Sequence, residues 1–198
     1  MNQRGAEGVI LKIGVLALQG AVEEHLRMIK ECGLEGVKVK TVEDFKKIDR
    51  LIIPGGESTA IGKLAKIYGL DREISKRGRE GMPIFGTCAG MILLANKVIG
   101  NEQIRFNLID ILVERNAFGR QVDSFEAELN IEDFAGKPFR AIFIRAPYIK
   151  KVGKEVKVLA QFDGKIVMAR QKNILVSSFH PELTNDLRVH KYFLNDHY

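Results

Sequence analysis

Cysteine is scarce in this chain: Cys32 and Cys88 are the only two among 198 residues. Two thiols cannot build a disulfide framework, so the sequence predicts a reducing, cytoplasmic setting. Long apolar runs are lacking too, and nothing approaches the roughly 20 residues that cross a bilayer. The opening MNQRGAEGVILKIGVLAL fails as a secretory signal, because Lys12 breaks its apolar run and no small-residue cleavage site follows a basic start. Basic runs are equally missing. The net charge is +6 and the pI near 9.3, yet Lys and Arg are interspersed with acids, as in VEDFKKIDR and ISKRGREG. Without a basic cluster or an aromatic–basic stacking motif, the footprint of a nucleic-acid module is absent. A solvated, mixed-charge surface remains, able to dock an acidic partner or attract anionic metabolites. Repeats, low-complexity segments and dividing linkers do not occur.

What is present is the balance of a soluble globular domain, with 45% hydrophobic and 28% charged residues. The first half alternates short β-branched runs with helical patterns. KIGVLAL (12–18) reads as a buried strand, and Val22, Leu26 and Ile29 space a helix that ends near Gly33. VKVKTV is a second strand, after which Thr41 and Asp44 form a capping pair. RLIIP (50–54) is a third, followed by a Gly-Gly turn and a helix through about Tyr68. PIF (83–85) is a short strand that runs into GTCAG and a helical AGMILLAN. Such a rhythm predicts a mostly parallel sheet with helices on both faces, a three-layer α/β domain. In the second half IDILVE, DSFEAEL, FRAIFIRA, EVKVLAQF, KIVMARQ and NILVSSF read as strands, with an Asp163-Gly164 turn, and predict antiparallel additions. A last helix starts near Asn185.

Chemistry in such sheets gathers outside the carboxyl ends of the strands, and three motifs fall there. Gly86-Thr87-Cys88-Ala89-Gly90 has the nucleophile-elbow pattern with cysteine at its centre. A sharp strand-to-helix turn needs small residues on either side. The thiol then meets the helix N-terminus, which favours a thiolate, and the Ala89 N–H can donate to an oxyanion. A buried structural cysteine is the alternative reading, and it suits Cys32. In Ser178-Phe179-His180-Pro181-Glu182, a base is followed two residues later by a group to orient it, on the same side if the segment stays extended. Metal binding is a weak rival, because His25, His190 and His197 lack ligand spacing. Pro54-Gly55-Gly56-Glu57-Ser58 lacks the pattern of a phosphate loop. It reads either as a turn capping a helix or as half of an oxyanion hole facing Cys88.

Together these motifs resemble the class I (triad) glutamine amidotransferases, and within them the PdxT/SNO family of glutaminase subunits of pyridoxal 5′-phosphate synthase. The resemblance is carried by IGVLALQGAVEEH, LIIPGGEST, PIFGTCAGMILLA, VERNAFGRQVDSFEAEL, FIRAP and SSFHPELT, over about residues 12–192. It implies a flavodoxin-like, class I amidotransferase-like fold. It also implies Cys88 as nucleophile, His180 as general base and then acid, and Glu182 as the residue orienting it. Gly56, Glu57, Ser58, Arg115, Ile144 and Arg145 are expected to line an L-glutamine site. Gln19, Gly55, Gly56 and Ala89 are expected at the oxyanion hole. An arginine fork suits the α-carboxylate of glutamine, and a carboxylate such as Glu57 suits its ammonium. No metal, cofactor, nucleic acid or membrane is implied. The expected partner is a synthase subunit that takes up the ammonia in a hetero-oligomer. Residues 1–11 depart from the family pattern as an N-terminal extension, which leaves 12–198 as a single domain. A glutaminase serving another synthase, a DJ-1-like cysteine hydrolase or chaperone, and a non-enzymatic basic binding module stand as rivals.

Overall fold

The computed structural model describes residues 11–100, 103–115 and 124–195. Most of the expected extension, part of the VERNAFGRQVDSFEAEL segment and His197 lie outside them. Along the first half run β1 (Ile13–Leu16), α1 (Val22–Glu31), β2 (Gly36–Val39), α2 (Val42–Phe45), β3 (Arg50–Ile53), α3 (Ser58–Ile67), α4 (Leu70–Arg79), β4 (Ile84–Thr87) and α5 (Ala89–Leu94). The second half holds β5 (Ala95–Ile99), β6 (Ile109–Glu114), β7 (Ser124–Leu129), β8 (Phe139–Ile144), β9 (Tyr148–Val152), β10 (Lys157–Phe162), β11 (Lys165–Gln171) and β12 (Ile174–Ser177). A 3₁₀ turn (Pro181–Leu183) and α6 (Arg188–Leu194) complete it.

The main sheet has the order β2-β1-β3-β4-β12-β11-β9-β6-β5, with β10 also paired to β11. The first five strands of that order are mutually parallel. Antiparallel pairing begins at β11 and continues through β9 to β6, while β5 returns parallel to β6. β7 and β8 form a separate hairpin sheet. The architecture is therefore a mostly parallel α/β sheet with antiparallel additions.

Strand periodicity sorts the apolar side chains into two layers. Ile13, Val15, Ile52 and Phe85 face one core, shared with α1, α6 and the β7–β8 hairpin. Leu16, Leu51, Ile53 and Ile84 face the other, shared with α2 to α5. Both faces are covered, so β1, β3, β4 and β12 are buried throughout and read as continuous apolar runs.

Local chemistry sets several ends. Thr41 and Asp44 close a reciprocal capping box on α2, as their spacing predicts. Asp163 (φ 49) and Gly164 (φ 69) both take left-handed backbone in the β10–β11 hairpin turn. The structure also departs from the sequence reading. The helix drawn through AGMILLAN stops at Leu94, and Ala95 starts β5, because its backbone is extended (φ −63, ψ 147). Helix α4 carries little apolar periodicity in the sequence. Its apolar side is the narrow stripe Leu70, Ile74 and Gly78, and a side chain at Gly78 would run into Leu108. β9 carries little sequence signal either, since YIKKV buries only Ile149.

Candidate active site

Cys88 stands where β4 turns into α5, with φ 48 and ψ −100. Left-handed backbone at a residue with a side chain costs on the order of 1–3 kcal/mol and survives only where the surroundings over-determine it. Here they do. The Cys88 N–H donates to the Ser177 carbonyl at 2.8 Å. A side chain on Gly86 would strike the Gly90 backbone, and one on Gly90 would strike the Ile53 carbonyl. The two elbow glycines are therefore required by close approach. Cys88 as a residue is 9% exposed, and Ala89, as the first residue of α5, offers one of the N–H groups that this helix end leaves without an intrahelical partner.

Strand order delivers the base. β12 lies parallel to β4 with Ser177 opposite Thr87, so the chain leaving β12 passes beside Cys88. The exit is pinned by Ser178 N–H to Val167 O and His180 N–H to Ile142 O, both at 2.8 Å, and by Ser177 Oγ to Phe179 O at 3.1 Å. The segment does not stay extended. Pro181 opens the 3₁₀ turn, which folds Glu182 back beneath the imidazole, and His180 Nδ1 meets Glu182 Oε1 at 2.7 Å. Burial opposes a charge on His180, but its hydrogen bonds to Cys88 and Glu182 outweigh that and push it up to about 10. Glu182 is fully buried. Burial disfavours its charge, yet the neighbouring His25 and the bond to His180 hold the carboxyl below its usual range. Cys32 has no such setting. It is half-buried against the α1–α6 core, and burial pushes its thiol up.

The Gly-Gly loop after β3 closes over this pair. A Cβ on Gly55 would lie against the His180 ring and 3.5 Å from Cys88 Cβ. The Gly55 carbonyl accepts from Ala21 N–H at 3.1 Å, and Gln19 Oε1 accepts from Glu57 N–H at 2.7 Å. Gln19 thus braces the back of the loop, whereas Gly20 and Ala21 line the cavity. Gly20 (φ 105) has to be glycine, because a side chain there would collide with the Gly55 carbonyl.

A cavity of about 520 Å³ opens above Cys88 and His180. Gly55, Gly56, Glu57, Ser58, Ala89, Arg115, Ile144 and Arg145 line it with Cys88 and His180, so of the expected site residues only Gln19 and the buried Glu182 stand off its wall. Glu57 is also the N-cap of α3, accepting from Thr59 N–H at 3.0 Å and Ala60 N–H at 2.6 Å. Burial works against its charge, but those two N–H groups and the Arg115 guanidinium, 3.8 Å away, bring its carboxyl below the usual range. Arg145 follows β8 with φ 41, a second strained residue at the cavity.

Four contributors escaped the sequence reading. Gln103 Oε1 accepts from Ser58 Oγ at 3.2 Å and from Arg115 at 3.4 Å, joining the Gly-Gly loop to the arginine. Arg27 of α1 donates to the Glu182 and Thr184 carbonyls at 3.0 and 3.3 Å. His25 and His190 lie in line behind Glu182, their rings tilted by 52°, with Nδ1 of the first 3.0 Å from Nε2 of the second. Only His25 left a sequence signal, since it falls on the apolar stripe of α1 between Val22 and Ile29. No group of three or more His, Cys, Asp or Glu among the described residues could hold a metal. No described helix is long and apolar enough to cross a membrane.

A thiol and a base on one cavity wall, the base hydrogen-bonded to a buried carboxylate and the thiol at a helix N-terminus, form a constellation for acyl transfer. The sequence profile of the SNO glutamine amidotransferase family matches residues 15–197. Relatives named pyridoxal 5′-phosphate synthase subunit PdxT include one from Pelotomaculum thermopropionicum, 58% identical over 93% of this chain and 94% of that protein. Another, from Carboxydothermus hydrogenoformans, is 54% identical over 93% of this chain and 96% of its own length. A crystal structure described as a glutamine amidotransferase superposes with a TM-score of 0.88 at 49% identity, covering 92% of this chain and 96% of the other. PurLQS from Thermotoga maritima shares the fold at a TM-score of 0.73 and 18% identity, over 94% and 99% of the two chains.

Proposed function

The chain belongs to the SNO glutamine amidotransferase family, and we infer that it is the glutaminase subunit of a pyridoxal 5′-phosphate synthase, releasing ammonia and L-glutamate from L-glutamine. The observation that carries this reading is Cys88 and His180 together on the cavity wall, with the buried Glu182 bonded to His180 behind them.

The chemistry is a two-step acyl transfer. The Cys88 thiolate attacks the side-chain amide carbon, and the carbonyl oxygen takes up the negative charge. Donors for that oxyanion are the Ala89 N–H and the Gly55–Gly56 loop, braced from behind by Gln19. As the intermediate collapses, the His180 imidazolium gives its proton to the departing nitrogen, and ammonia leaves a thioester on Cys88. Neutral His180 then takes a proton from water, whose oxygen attacks the thioester. Glutamate leaves, and the sulfur and imidazole return to their starting state. Glu182 keeps the Nδ1–H in place throughout, which presents Nε2 to sulfur and leaving group. Arg115 and Arg145 grip the α-carboxylate, Glu57 attracts the α-ammonium, and Gly56, Ser58 and Ile144 shape the pocket.

The ammonia passes to a synthase subunit in a hetero-oligomeric, cytoplasmic complex and becomes the ring nitrogen of the vitamin. Pyridoxal phosphate is thus a product of the assembly and not a cofactor of this chain. Ammonia release from glutamine, with the synthase subunit present, tests the reading. Wild type should turn over and Cys88→Ala should not; an active alanine variant would remove Cys88 from the mechanism.

A further inference from the structure

Behind the triad lies a buried polar chain that the acyl-transfer steps do not use. Glu182 spends Oε1 on His180, and its other oxygen, Oε2, is buried without a hydrogen-bond partner among the described residues. His25 Nε2 stands 3.6 Å from that oxygen and 3.2 Å from Thr87 Oγ1. On its far side His25 Nδ1 meets His190 Nε2, and His190 Nδ1 is in turn buried with no partner among the described residues. Phe85 sets its edge or face against both rings, which closes the chain to water.

Only one arrangement of protons satisfies these contacts. Were His25 to carry its proton on Nδ1, its Nε2 lone pair would face the Glu182 carboxylate, and His190 would bury an N–H on Nδ1 with nothing to accept it. An orphaned buried donor is costly, and a lone pair set against an anion is repulsive. The opposite arrangement has His190 Nε2–H donating to His25 Nδ1, and His25 Nε2–H directed at Thr87 Oγ1 and Glu182 Oε2. It leaves only an acceptor lone pair unpaired on His190. We propose that His25 is a positioning residue for the triad, whose Nε2–H, fixed in direction by His190, restrains the Glu182 carboxylate so that Oε1 stays on His180.

The groups facing His25 agree with a neutral ring. Burial dominates and lowers its proton affinity. Glu182 and Glu24 pull the other way, and His180 adds to the burial effect. The Nε2 contact to the carboxylate is a dipole meeting a charge, since 3.6 Å exceeds a hydrogen bond. Arg27, two residues along the same helix, holds the Glu182 carbonyl. Helix α1 therefore restrains the triad carboxylate through both its backbone and its side chain.

This inference rests on the glutaminase reading for its kinetic part and stands apart from it in its spectroscopic part. In the complex with the synthase subunit, His25→Leu should lower kcat for glutamine by roughly 10- to 100-fold, the range for outer partners of working groups. KM should hold, and the alkaline limb of the pH profile should move down by about one unit as Glu182 loosens from His180. His25→Gln retains a donor and should restore most of the rate. A folded His25→Leu variant with wild-type kcat and limb overturns the proposal. So does a loss that His25→Gln shares without any movement of the limb, since that pattern marks packing. Imidazole ¹⁵N shifts of the wild-type chain decide the matter even if His25→Leu fails to fold. They should show His25 neutral with its proton on Nε2, and a proton on Nδ1 refutes the assignment. An inactive wild-type enzyme would instead count against the glutaminase reading.

Discussion

Replacing Gly55 by alanine adds one methyl group directly against the catalytic histidine. The backbone there is not left-handed, so conformational strain does not confuse the result. The new Cβ would collide with His180 Cε1 and lie 3.0 Å from Nδ1 and 3.5 Å from Cys88 Cβ. His180 has little room to retreat, because its ring Nδ1 is tied to Glu182 at 2.7 Å and its backbone N–H donates to Ile142 O at 2.8 Å. Relief requires the ring or the loop to move by about an ångström, a misplacement that can cost roughly 10²-fold in rate. Overpacking should also cost about 1–3 kcal/mol of stability. Ammonia release with the synthase subunit would give the first number and thermal unfolding the second. Gly55→Ala should leave the fold intact and lower kcat, and in a His180→Ala background it should no longer destabilise, because the space has been vacated. Wild-type kcat and an unchanged Tm in Gly55→Ala would refute the packing argument.

A glutamine-like electrophile should label Cys88 and spare Cys32, whose thiol burial pushes up; mass spectrometry of the digested protein checks this, and equal labelling would remove the distinction. Arg115→Ala or Arg145→Ala deletes a charge-assisted bond worth about 1.5–3 kcal/mol, so KM should rise roughly 10- to 150-fold, whereas His180→Ala should act mainly on kcat. Burial, with His25 adding to it, depresses His190 to about 3, so the unfolded chain binds the extra proton first as pH falls below 6.5. Stability from this group is present above 6.5 and is lost as pH falls toward 3, at about 1.4 kcal/mol per unit, or about 2 kcal/mol by pH 5. His190→Leu should flatten that decline in denaturant titrations at pH 5 and 7, and an unchanged slope would contradict it. The isolated chain should be a poor glutaminase, because the Gly55 carbonyl is latched to Ala21 N–H beside the oxyanion site. If synthase contact near Gln19 reorients this peptide and adds a donor, kcat should rise by about 10²–10³. Full activity of the chain alone would exclude such a switch.

The sequence by itself determined the frame. Runs such as IGVL and RLII are apolar at every position, which only a strand covered on both faces tolerates, so the parallel core was legible. Local chemistry was equally readable in the Thr41–Asp44 capping box and the Asp163–Gly164 turn, because those interactions join neighbours in the chain. The elbow around Cys88 and the pair His180 and Glu182 were legible for the same reason. Contacts between distant residues were decided only by the tertiary structure. The pairing of β12 with β4 sets His180 beside Cys88, and the 3₁₀ turn at Pro181, not an extended strand, brings Glu182 to its imidazole. Gln103 has no motif, and it matters only because folding lays it between Ser58 and Arg115. His25 and His190 are 165 residues apart. Nothing in their spacing makes them partners until α1 and α6 pack on the same face of the sheet, where burial forces each to answer the other's hydrogen-bonding need.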